Sequence, residues 1–316
     1  MRPRILFMGT PDFAVPALQR LLDDAFPMVG VVCQPDRPQG RNLHLAIPPI
    51  ARLANAHDLP LFQPENPRSK TFADQIRTLS PDLIVTAAYG RILPADILAI
   101  PKLGSLNIHA SLLPAYRGAA PIQRCLINGE IETGVTIMLM DEGMDTGDIL
   151  AQRRVDIPEE MYADQLSRLL AQLGADLLPP TIDAFVSGQI KPQPQDHTLA
   201  TTARMLKRET GRIVWDESAR TIYNLIRGTY PWPGAFTHCG KKRIKIHKAR
   251  VCKDPDMISS AADLEPGTIC DCQGDAIRVA CGEGVIDLLE IQTDSGKKMH
   301  CRDCAHNYRL GQMMEG

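Results

Sequence analysis

Residues 82–110 read DLIVTAAYGRILPADILAIPKLGSLNIHA and contain two apolar runs separated by a short helical pattern. DLIVTAA (82–88) and SLNIHA (105–110) have the nearly continuous apolar character of strands that are buried on both faces. LPADILAI (93–100) is typical of a helix between them. A strand, a helix and a second strand in this order form the repeating unit of a parallel sheet. The stretch therefore predicts an α/β fold.

The same alternation extends through the first half of the chain. Further strand-like and helical runs follow one another, namely RILFMG (4–9), VPALQRLLDD (15–24), MVGVVCQ (28–34), IPPIARLANA (47–56), LPLFQ (59–63), FADQIRTL (72–79), APIQRCLIN (120–128), GVTIMLM (134–140), ILAQRRVDI (149–157) and a long helix over 162–186. The pattern predicts a Rossmann-like, mostly parallel sheet with helices on both faces.

The pattern changes after SGQIKPQPQDHTLAT (187–201), whose polar, proline-rich composition predicts a linker. The helical pattern SARTIYNLIRG (218–228) is followed by short strand-like runs at close spacing, which predict a small β-barrel. These runs are RIKIHKARV, GTICDC, AIRVACGEG and VIDLLEIQT. We therefore expect an α/β domain over 1–189, a linker over 190–207 and a β-barrel domain over 208–316.

The bulk composition is that of an ordinary globular protein, with 316 residues of which 44% are hydrophobic and 23% charged. No run approaches the roughly 20 apolar residues of a membrane helix. The beginning, MRPRILFMG, lacks the long apolar region of a signal peptide, so we expect a cytoplasmic protein.

The charges are distributed unevenly along the chain. Residues 1–203 hold 17 Lys/Arg and 22 Asp/Glu, whereas residues 204–316 hold 18 Lys/Arg and 15 Asp/Glu. The basic second half suits a polyanionic partner, but ordinary solvated surface gives the same balance.

Nine cysteines in a chain of this length without a secretion signal do not indicate a disulfide scaffold. Five of them crowd the C-terminal part, with two histidines nearby: Cys270, Cys272, Cys281, Cys301, Cys304, His300 and His306. CDC and CRDC could supply thiolates to zinc. However, the gap between the two pairs is long and irregular, and Cys281 lies in a strand-like run. We therefore expect reduced thiols and no metal site.

Two polar side chains stand at the end of the strand-like run 105–110. Asn107 and His109 are two residues apart, so both point to one face, and ligands of open α/β sheets bind beyond the carboxyl ends of the strands. An amide donor and an imidazole could together hold a carbonyl oxygen that becomes negative during acyl transfer. The alternative is a structural histidine with an amide cap on a turn.

The first turn, GTPDF (9–13), lacks the glycine patterns of dinucleotide and ATP sites, so neither cofactor is predicted.

A loop rich in glycine and acid, MDEGMDTGD (140–148), follows the strand GVTIMLM. We expect the loop at the same sheet edge as His109, because it also follows a strand. Asp145 and Asp148 could both be solvated loop acids. One of them could instead lie beside His109 and fix the orientation of its ring.

These residues together resemble the folate-dependent formyltransferase family. Its pattern N-x-H-x-S-L-L-P-x-Y/W-R-G, followed by D-x-G-x-D-T-G-D, stands here at 107–118 and 141–148. AAPIQR (119–124) narrows the resemblance to the methionyl-tRNA formyltransferases, as do GTPDFAVPAL, QPDRPQGR, AAYGRILP and YPWPGAF. The resemblance extends from about Ile5 to Leu310, with both domains in the order of the family.

The resemblance implies a Rossmann-like domain, a linker and an OB-like barrel that binds tRNA. It implies that the formyl group of 10-formyltetrahydrofolate is transferred to the methionine α-amine of initiator Met-tRNA, without a metal and in a monomer. The catalytic trio so implied is Asn107, His109 and Asp145. The residues implied to contact the folate are Ser111, Leu112, Leu113, Pro114, Ala88, Tyr89, Gly90, Met140 and Asp141.

For the tRNA, the resemblance implies that Arg41 reaches the acceptor end. The family commonly has lysines directly after this arginine, whereas this chain has Asn42, Leu43 and His44, which makes the loop less cationic. The basic strand-like run KKRIKIHKAR (241–250) could compensate, because OB-like barrels often bind nucleic acid through such faces. Its candidate residues are Lys241, Lys242, Arg243 and Lys245. The alternative is a charged strand that faces only solvent.

Three other functions fit parts of the sequence. A sugar-nucleotide N-formyltransferase shares the catalytic trio and the folate segment, but AAPIQR and the second domain belong to the tRNA-directed branch. A 10-formyltetrahydrofolate hydrolase needs neither a basic barrel nor the Arg41 loop. A noncatalytic tRNA-binding module would not need an intact Asn107, His109 and Asp145.

Overall fold

The computed structural model describes residues 2–39, 44–294 and 296–316. The chain packs into two units. The first unit consists of Met1–Pro121, Glu132–Asp156 and Ser167–Ala203, and the second unit of Ile122–Ile131, Ile157–Leu166 and Arg204–Gly316. Over the described ranges, no helix has the length and apolar character needed to cross a membrane.

The first unit is built on a seven-stranded sheet with the order β5-β2-β1-β6-β7-β8-β9. The first nine strands of the chain are β1 (Ile5–Gly9), β2 (Met28–Val32), β3 (Arg37–Gln39), β4 (His44–Ala46), β5 (Leu61–Phe62), β6 (Leu83–Ala87), β7 (Ser105–His109), β8 (Glu132–Leu139) and β9 (Ile149–Asp156). β3 and β4 pair antiparallel in a separate two-stranded sheet. Every residue of β1 and β6 is buried, as expected for central strands covered on both faces.

The directions of the strands confirm a mostly parallel sheet and add a detail that the sequence did not indicate. β5, β2, β1, β6 and β7 are parallel neighbours. β8 pairs antiparallel with β7, and β9 pairs antiparallel with β8. The sheet therefore ends in an antiparallel edge of two long strands.

Helices alternate with these strands. They are α1 (Val15–Asp23), α2 (Pro49–Ala56), α3 (Lys70–Leu79), α4 (Ala95–Leu98), α5 (Pro121–Ile127) and α6 (Ala163–Val186). α3 illustrates how the sequence sets a helix: the side chain of Ser69 accepts a hydrogen bond from the Phe72 N–H at its beginning. Phe72, Ala73 and Ile76 then share the buried side of this helix.

The second unit contains one antiparallel sheet that curls into a half-barrel, with the order β10-β11-β14-β13-β12 and β15 paired to β14. Its elements are α7 (Ala219–Thr229), β10 (Ala235–Cys239), β11 (Lys242–Val251), α8 (Pro255–Ser260), β12 (Ile269–Asp271), β13 (Ile277–Ala280), β14 (Val285–Thr293), β15 (Met299–His300) and α9 (Cys301–Cys304). Ile222 and Ile226 of α7 share a core with Ile244, Ile246 and Leu288 of the sheet. The curled antiparallel sheet confirms the fold class predicted for this part of the chain, a small β-barrel that follows a helix.

Candidate active site

Asn107 is the middle residue of β7, two positions before its carboxyl end, and it pairs with Thr86 on β6. The hydroxyl of the buried Thr86 donates a hydrogen bond to Oδ1 of Asn107 over 2.8 Å. Because the oxygen is held in this way, the amide nitrogen is the free end of the side chain. Within the described residues it donates to no protein acceptor. Asn107 therefore presents an oriented donor beside the end of the sheet.

His109 is the last residue of β7 and is 5% exposed. Its Nε2 lies 3.0 Å from the carbonyl oxygen of Tyr116. A carbonyl oxygen only accepts hydrogen bonds, so this contact places a proton on Nε2. The other ring nitrogen, Nδ1, lies 3.5 Å from Oδ1 of Asp145. The ring thus lies between a carbonyl group and a carboxylate.

Asp145 reaches His109 by a route different from the one the sequence suggested. The expectation that the loop 140–148 begins at the same sheet edge as His109 is wrong, because β8 runs antiparallel to β7. Leu139, at the end of β8, pairs with Leu106 near the beginning of β7. The loop folds back instead, so that Asp145 and not Asp148 is the acid paired with His109.

The second oxygen of Asp145 is held by the backbone. Oδ2 accepts a hydrogen bond from the N–H of Gly118 over 2.8 Å. Gly118 has a φ of +122°, and a Cβ atom at this position would lie 2.7 Å from the carbonyl oxygen of Ala203. A glycine is required here, because any side chain would displace the donor from the carboxylate.

Three loops around these side chains each hold a non-glycine residue with a positive φ. The values are 46° for Ala88, 62° for Tyr116 and 56° for Asp145. Backbone strain of this kind costs of the order of 1 to 3 kcal/mol per residue and concentrates at functional sites. Among the described residues, three other non-glycine residues with positive φ, Ala25, Asp58 and Ser80, follow helices, so positive φ by itself does not mark this end of the sheet.

The segment 111–114 packs against the antiparallel strands. Thr136 of β8 donates its hydroxyl to the carbonyl of Ser111 and accepts the N–H of Leu113. Gln152 of β9 donates to the carbonyl of Leu113 over 2.8 Å. Ser111 and Leu113 are buried, whereas Leu112 and Pro114 are half-buried. The segment is therefore a fixed turn directly after His109.

Other residues that the resemblance assigned to the folate also lie around β6 and β7. Tyr89 belongs to the buried cluster against which Met140 packs. The sulfur of Met140 lies 3.4 Å from the oxygen of the Thr86 hydroxyl group that donates to Asn107. The Tyr89 hydroxyl is buried without a hydrogen-bond partner in the described part of the chain. Gly90 follows with a φ of +79°.

Asp141 is exposed and organises its own loop. Its Oδ1 accepts hydrogen bonds from the Gly143 N–H and from the Thr146 hydroxyl. These bonds close the loop next to Asp145. In the structure, Asp141 is therefore a loop-capping residue.

The four basic candidates in the second unit occupy different positions. Lys241 lies in the turn before β11, and Lys242 begins that strand at an exposed position. Arg243 and Lys245 share the side of β11 opposite the buried Ile244. The Arg243 guanidinium lies 4.0 Å from the centre of the Phe236 ring on β10. Arg41, the fifth basic candidate, falls outside the described residues.

Comparison with known proteins identifies the family of the chain. A family model described as "Formyl transferase" matches residues 1–182, and one described as "Formyl transferase, C-terminal domain" matches residues 205–309. The methionyl-tRNA formyltransferase of Geobacter sulfurreducens is 43% identical over 307 residues, which cover 97% of this chain and 94% of that protein. The chain belongs to the methionyl-tRNA formyltransferase family.

Solved structures share the fold of this formyltransferase at low sequence identity. WlaRD, a sugar 3N-formyl transferase, is 18% identical with a TM-score of 0.68, and the match covers 94% of this chain and 100% of that one. The methionyl-tRNA formyltransferase from Clostridium thermocellum is also 18% identical, with a TM-score of 0.55 over 79% of this chain and 93% of that one. At these identities the likeness concerns the fold alone.

The cysteines of this formyltransferase are free thiols in the described structure. Burial raises the pKa of the Cys281 thiol and of the Cys301 thiol to about 12. Among the residues that the structure describes, no three His, Cys, Asp or Glu side chains are grouped as a metal ion would require.

Sequence reasoning missed Thr86, the residue that orients Asn107. A signal existed, because Thr86 is the single hydroxyl in the apolar run DLIVTAA (82–88). It also missed Gly118 as the donor to Asp145, although the R-G pair was part of the pattern.

Proposed function

We propose that this protein transfers the formyl group of 10-formyltetrahydrofolate to the α-amino group of methionine on initiator Met-tRNA. One observation carries the proposal: the His109–Asp145 pair lies at the end of β7, the strand that also presents the oriented amide of Asn107. Membership in the methionyl-tRNA formyltransferase family supports it independently. We expect the enzyme to act as a cytoplasmic monomer.

In the proposed reaction, Asn107 and His109 stabilise negative charge on the formyl oxygen while the amine attacks the formyl carbon. The tetrahedral intermediate then collapses, the bond between the formyl carbon and the tetrahydrofolate nitrogen breaks, and this nitrogen leaves as the amine after taking up the proton that the attacking amine has lost. The free amide nitrogen of Asn107 donates one hydrogen bond. His109 donates the second through Nε2, and the formyl oxygen takes the place of the Tyr116 carbonyl as acceptor. Oriented donors of this kind contribute about 100- to 1000-fold each to the rate.

Asp145 has two tasks in this proposal. Its carboxylate faces Nδ1 of His109 and so keeps the ring in position when the ring becomes more positive. It also helps to remove the proton that the attacking amine must lose, directly or through water. The N–H of Gly118 keeps the carboxylate in place during both tasks.

The formyl donor would lie against residues around β6 and β7. A buried Tyr89 hydroxyl without a partner among the described residues fits a polar heterocycle, because buried polar groups are almost always hydrogen-bonded. We propose that the turn Ala88–Gly90 and the side chains of Met140 and Asp141 border this substrate. The turn 111–114 would support it from the other side.

The tRNA would be held largely through its phosphates. Arg243 and Lys245 lie on one side of β11, next to the ring of Phe236, which combines cations with an aromatic surface. We propose that this face, with Lys241 and Lys242 at its end, contacts the tRNA. Arg41 is proposed to reach the acceptor end.

The experiment is a formylation assay with 10-formyltetrahydrofolate and initiator Met-tRNA, using the wild-type protein, Asn107→Ala and His109→Ala. We expect each variant to lose about 100-fold or more in kcat, because one oxyanion donor is removed. A matched control is Asn55→Ala, which removes an exposed asparagine from α2 in the same unit. Near-normal turnover by either site variant would contradict the proposed chemistry.

A further inference from the structure

We infer that Gln195 is a positioning residue that holds the loop 140–148 so that the Asp145 carboxylate faces His109. Gln195 is 6% exposed, although it lies in a polar, proline-rich segment. Its Nε2 donates hydrogen bonds to the carbonyl oxygens of Asp145 and Gly147, over 3.0 Å and 2.6 Å. One side chain thus fixes the backbone on both sides of Thr146.

Arg117 determines which way the Gln195 amide points. Its Nε and Nη2 lie 3.1 Å and 2.6 Å from Oε1 of Gln195. A guanidinium group only donates hydrogen bonds, so the Gln195 atom beside it must be the oxygen. Both N–H groups of the amide therefore face the loop. Nη2 of Arg117 also lies 3.0 Å from Nδ1 of His197, which steadies the guanidinium.

The segment that carries Gln195 belongs to the first unit and is held there by backbone hydrogen bonds. Gln193 and Ile149 exchange both of their backbone hydrogen bonds, each over 2.8 Å. The N–H of Arg117 donates to the carbonyl of Thr201, and the N–H of Ala203 donates to the carbonyl of Arg117. Gln195 is therefore held in place by its own segment, and its hydrogen bonds can fix the position of the loop.

The loop needs such support, because Asp145 has a φ of 56°, a conformation that non-glycine residues rarely adopt. Without the two hydrogen bonds to its carbonyl groups, the backbone at Asp145 can relax. The carboxylate then moves away from Nδ1 of His109. A displacement of about 1 Å at a reacting group can cost of the order of 100-fold in rate. Gln195 acts through Asp145, so this role rests on the proposed function of that carboxylate.

The kinetic test compares Gln195→Leu with Gln193→Leu, a matched control in which the same change is made at an exposed side chain two residues away. We expect Gln195→Leu to lower kcat by about 10- to 100-fold and Gln193→Leu to leave it unchanged. In an Asp145→Asn background, Gln195→Leu should lower kcat by less than about threefold, because the group it positions is already gone. Equal losses in both backgrounds would overturn the inference.

Gln195→Glu keeps the test decisive if the leucine variant does not fold. The glutamate retains an oxygen for Arg117 but removes both donors and faces two carbonyl groups, so we expect a loss of kcat at least as large. An unchanged kcat in a folded Gln195→Glu variant would overturn the inference.

Amide hydrogen exchange of residues 140–148 provides a readout that does not depend on activity. We expect faster exchange in Gln195→Leu or Gln195→Glu than in the wild type, and no change in Gln193→Leu. If the wild type does not formylate Met-tRNA but the loop exchanges faster in the Gln195 variants, the positioning role of Gln195 is supported and the proposed function fails. Unchanged exchange of this loop in the Gln195 variants contradicts the positioning role of Gln195, whatever the activity.

Discussion

The backbone N–H of Gly118 lies 2.8 Å from Oδ2 of Asp145, and no other residue type fits at position 118. The carboxylate is thus held between a glycine donor and the ring of His109. This relationship explains why the strand β7, the turn after it and the loop between β8 and β9 must fold together. Changes to any of these three segments should therefore affect the same chemical group.

Gly118→Ala should reduce both stability and turnover. Its Cβ would lie 2.7 Å from the Ala203 carbonyl oxygen, so the backbone must shift and the donor to Asp145 moves with it. We expect kcat to fall by about 10-fold or more. Gly188→Ala is the control, because Gly188 also has a positive φ but no atom within 4 Å of the added Cβ. The control should lose about 1 to 2 kcal/mol of stability and keep its kcat. A Gly118→Ala enzyme with wild-type kcat would refute the role of this donor.

Thr86→Val should lower kcat, although valine and threonine have nearly the same shape. The substitution removes the hydroxyl that holds Oδ1 of Asn107, so the amide can rotate and its nitrogen no longer points in one direction. We expect kcat to fall by about 10-fold, because the amide of Asn107 would be less often in the orientation that donates to the formyl oxygen. Steady-state kinetics of Thr86→Ser provide the control, because serine retains the hydroxyl. If Thr86→Ser were as impaired as Thr86→Val, the hydroxyl would not be the group that matters.

Binding of tRNA should weaken steeply as salt concentration rises. Lys245→Glu is expected to weaken binding and to reduce the slope of log K against log salt by about 1, because one phosphate contact is lost. Lys102→Glu makes the same charge change at an exposed position of the first unit and should have little effect. Fluorescence titrations at several salt concentrations measure both quantities. A salt response that is flat, or identical for the two variants, would exclude the β11 face as the tRNA surface.

The stability of the second unit should depend on Glu290 and on pH. Burial raises the pKa of the Glu290 carboxyl, but hydrogen bonds and charges from Lys298 and Lys248 outweigh burial and lower the pKa below the ordinary value of 4.5. The folded state thus gains stability above the unfolded pKa and loses it as pH falls through the lower folded pKa. Glu290→Gln should therefore lower the Tm at pH 7, with a difference that shrinks below about pH 4. Asp263→Asn, at an exposed position, is the control, and a pH-independent difference for Glu290→Gln would contradict the ion-pair account.

Much of the fold could be predicted because buried strands and amphipathic helices leave strong local patterns. Apolar runs predict β6 and β7, and short strand-like runs at close spacing predict the antiparallel sheet of the second unit. The direction of β8 could not be found, because the residues of a strand do not encode which way it runs beside its neighbour. The argument from a shared sheet edge was therefore wrong, although Asp145 does lie 3.5 Å from the ring of His109.

The residues that support the site were harder to predict than those proposed to react. Thr86 and Gln195 act through a few side-chain hydrogen bonds between segments far apart in the chain, and such contacts leave no periodic signal. The composition around Gln195 predicts a linker, whose side chains are expected to be exposed. The side chain of Gln195 is instead almost fully buried. The Arg41 interpretation stays a prediction, since that residue lies outside the described ranges.

The most direct measurement is a competition assay in which the wild-type enzyme and 10-formyltetrahydrofolate are offered initiator Met-tRNA, a 4-amino sugar nucleotide, or water alone. The acceptor assignment predicts rapid formation of formyl-Met-tRNA and little formyl transfer to the other two acceptors. Preferred formylation of the amino sugar nucleotide, or release of formate at the same rate without Met-tRNA, would contradict it.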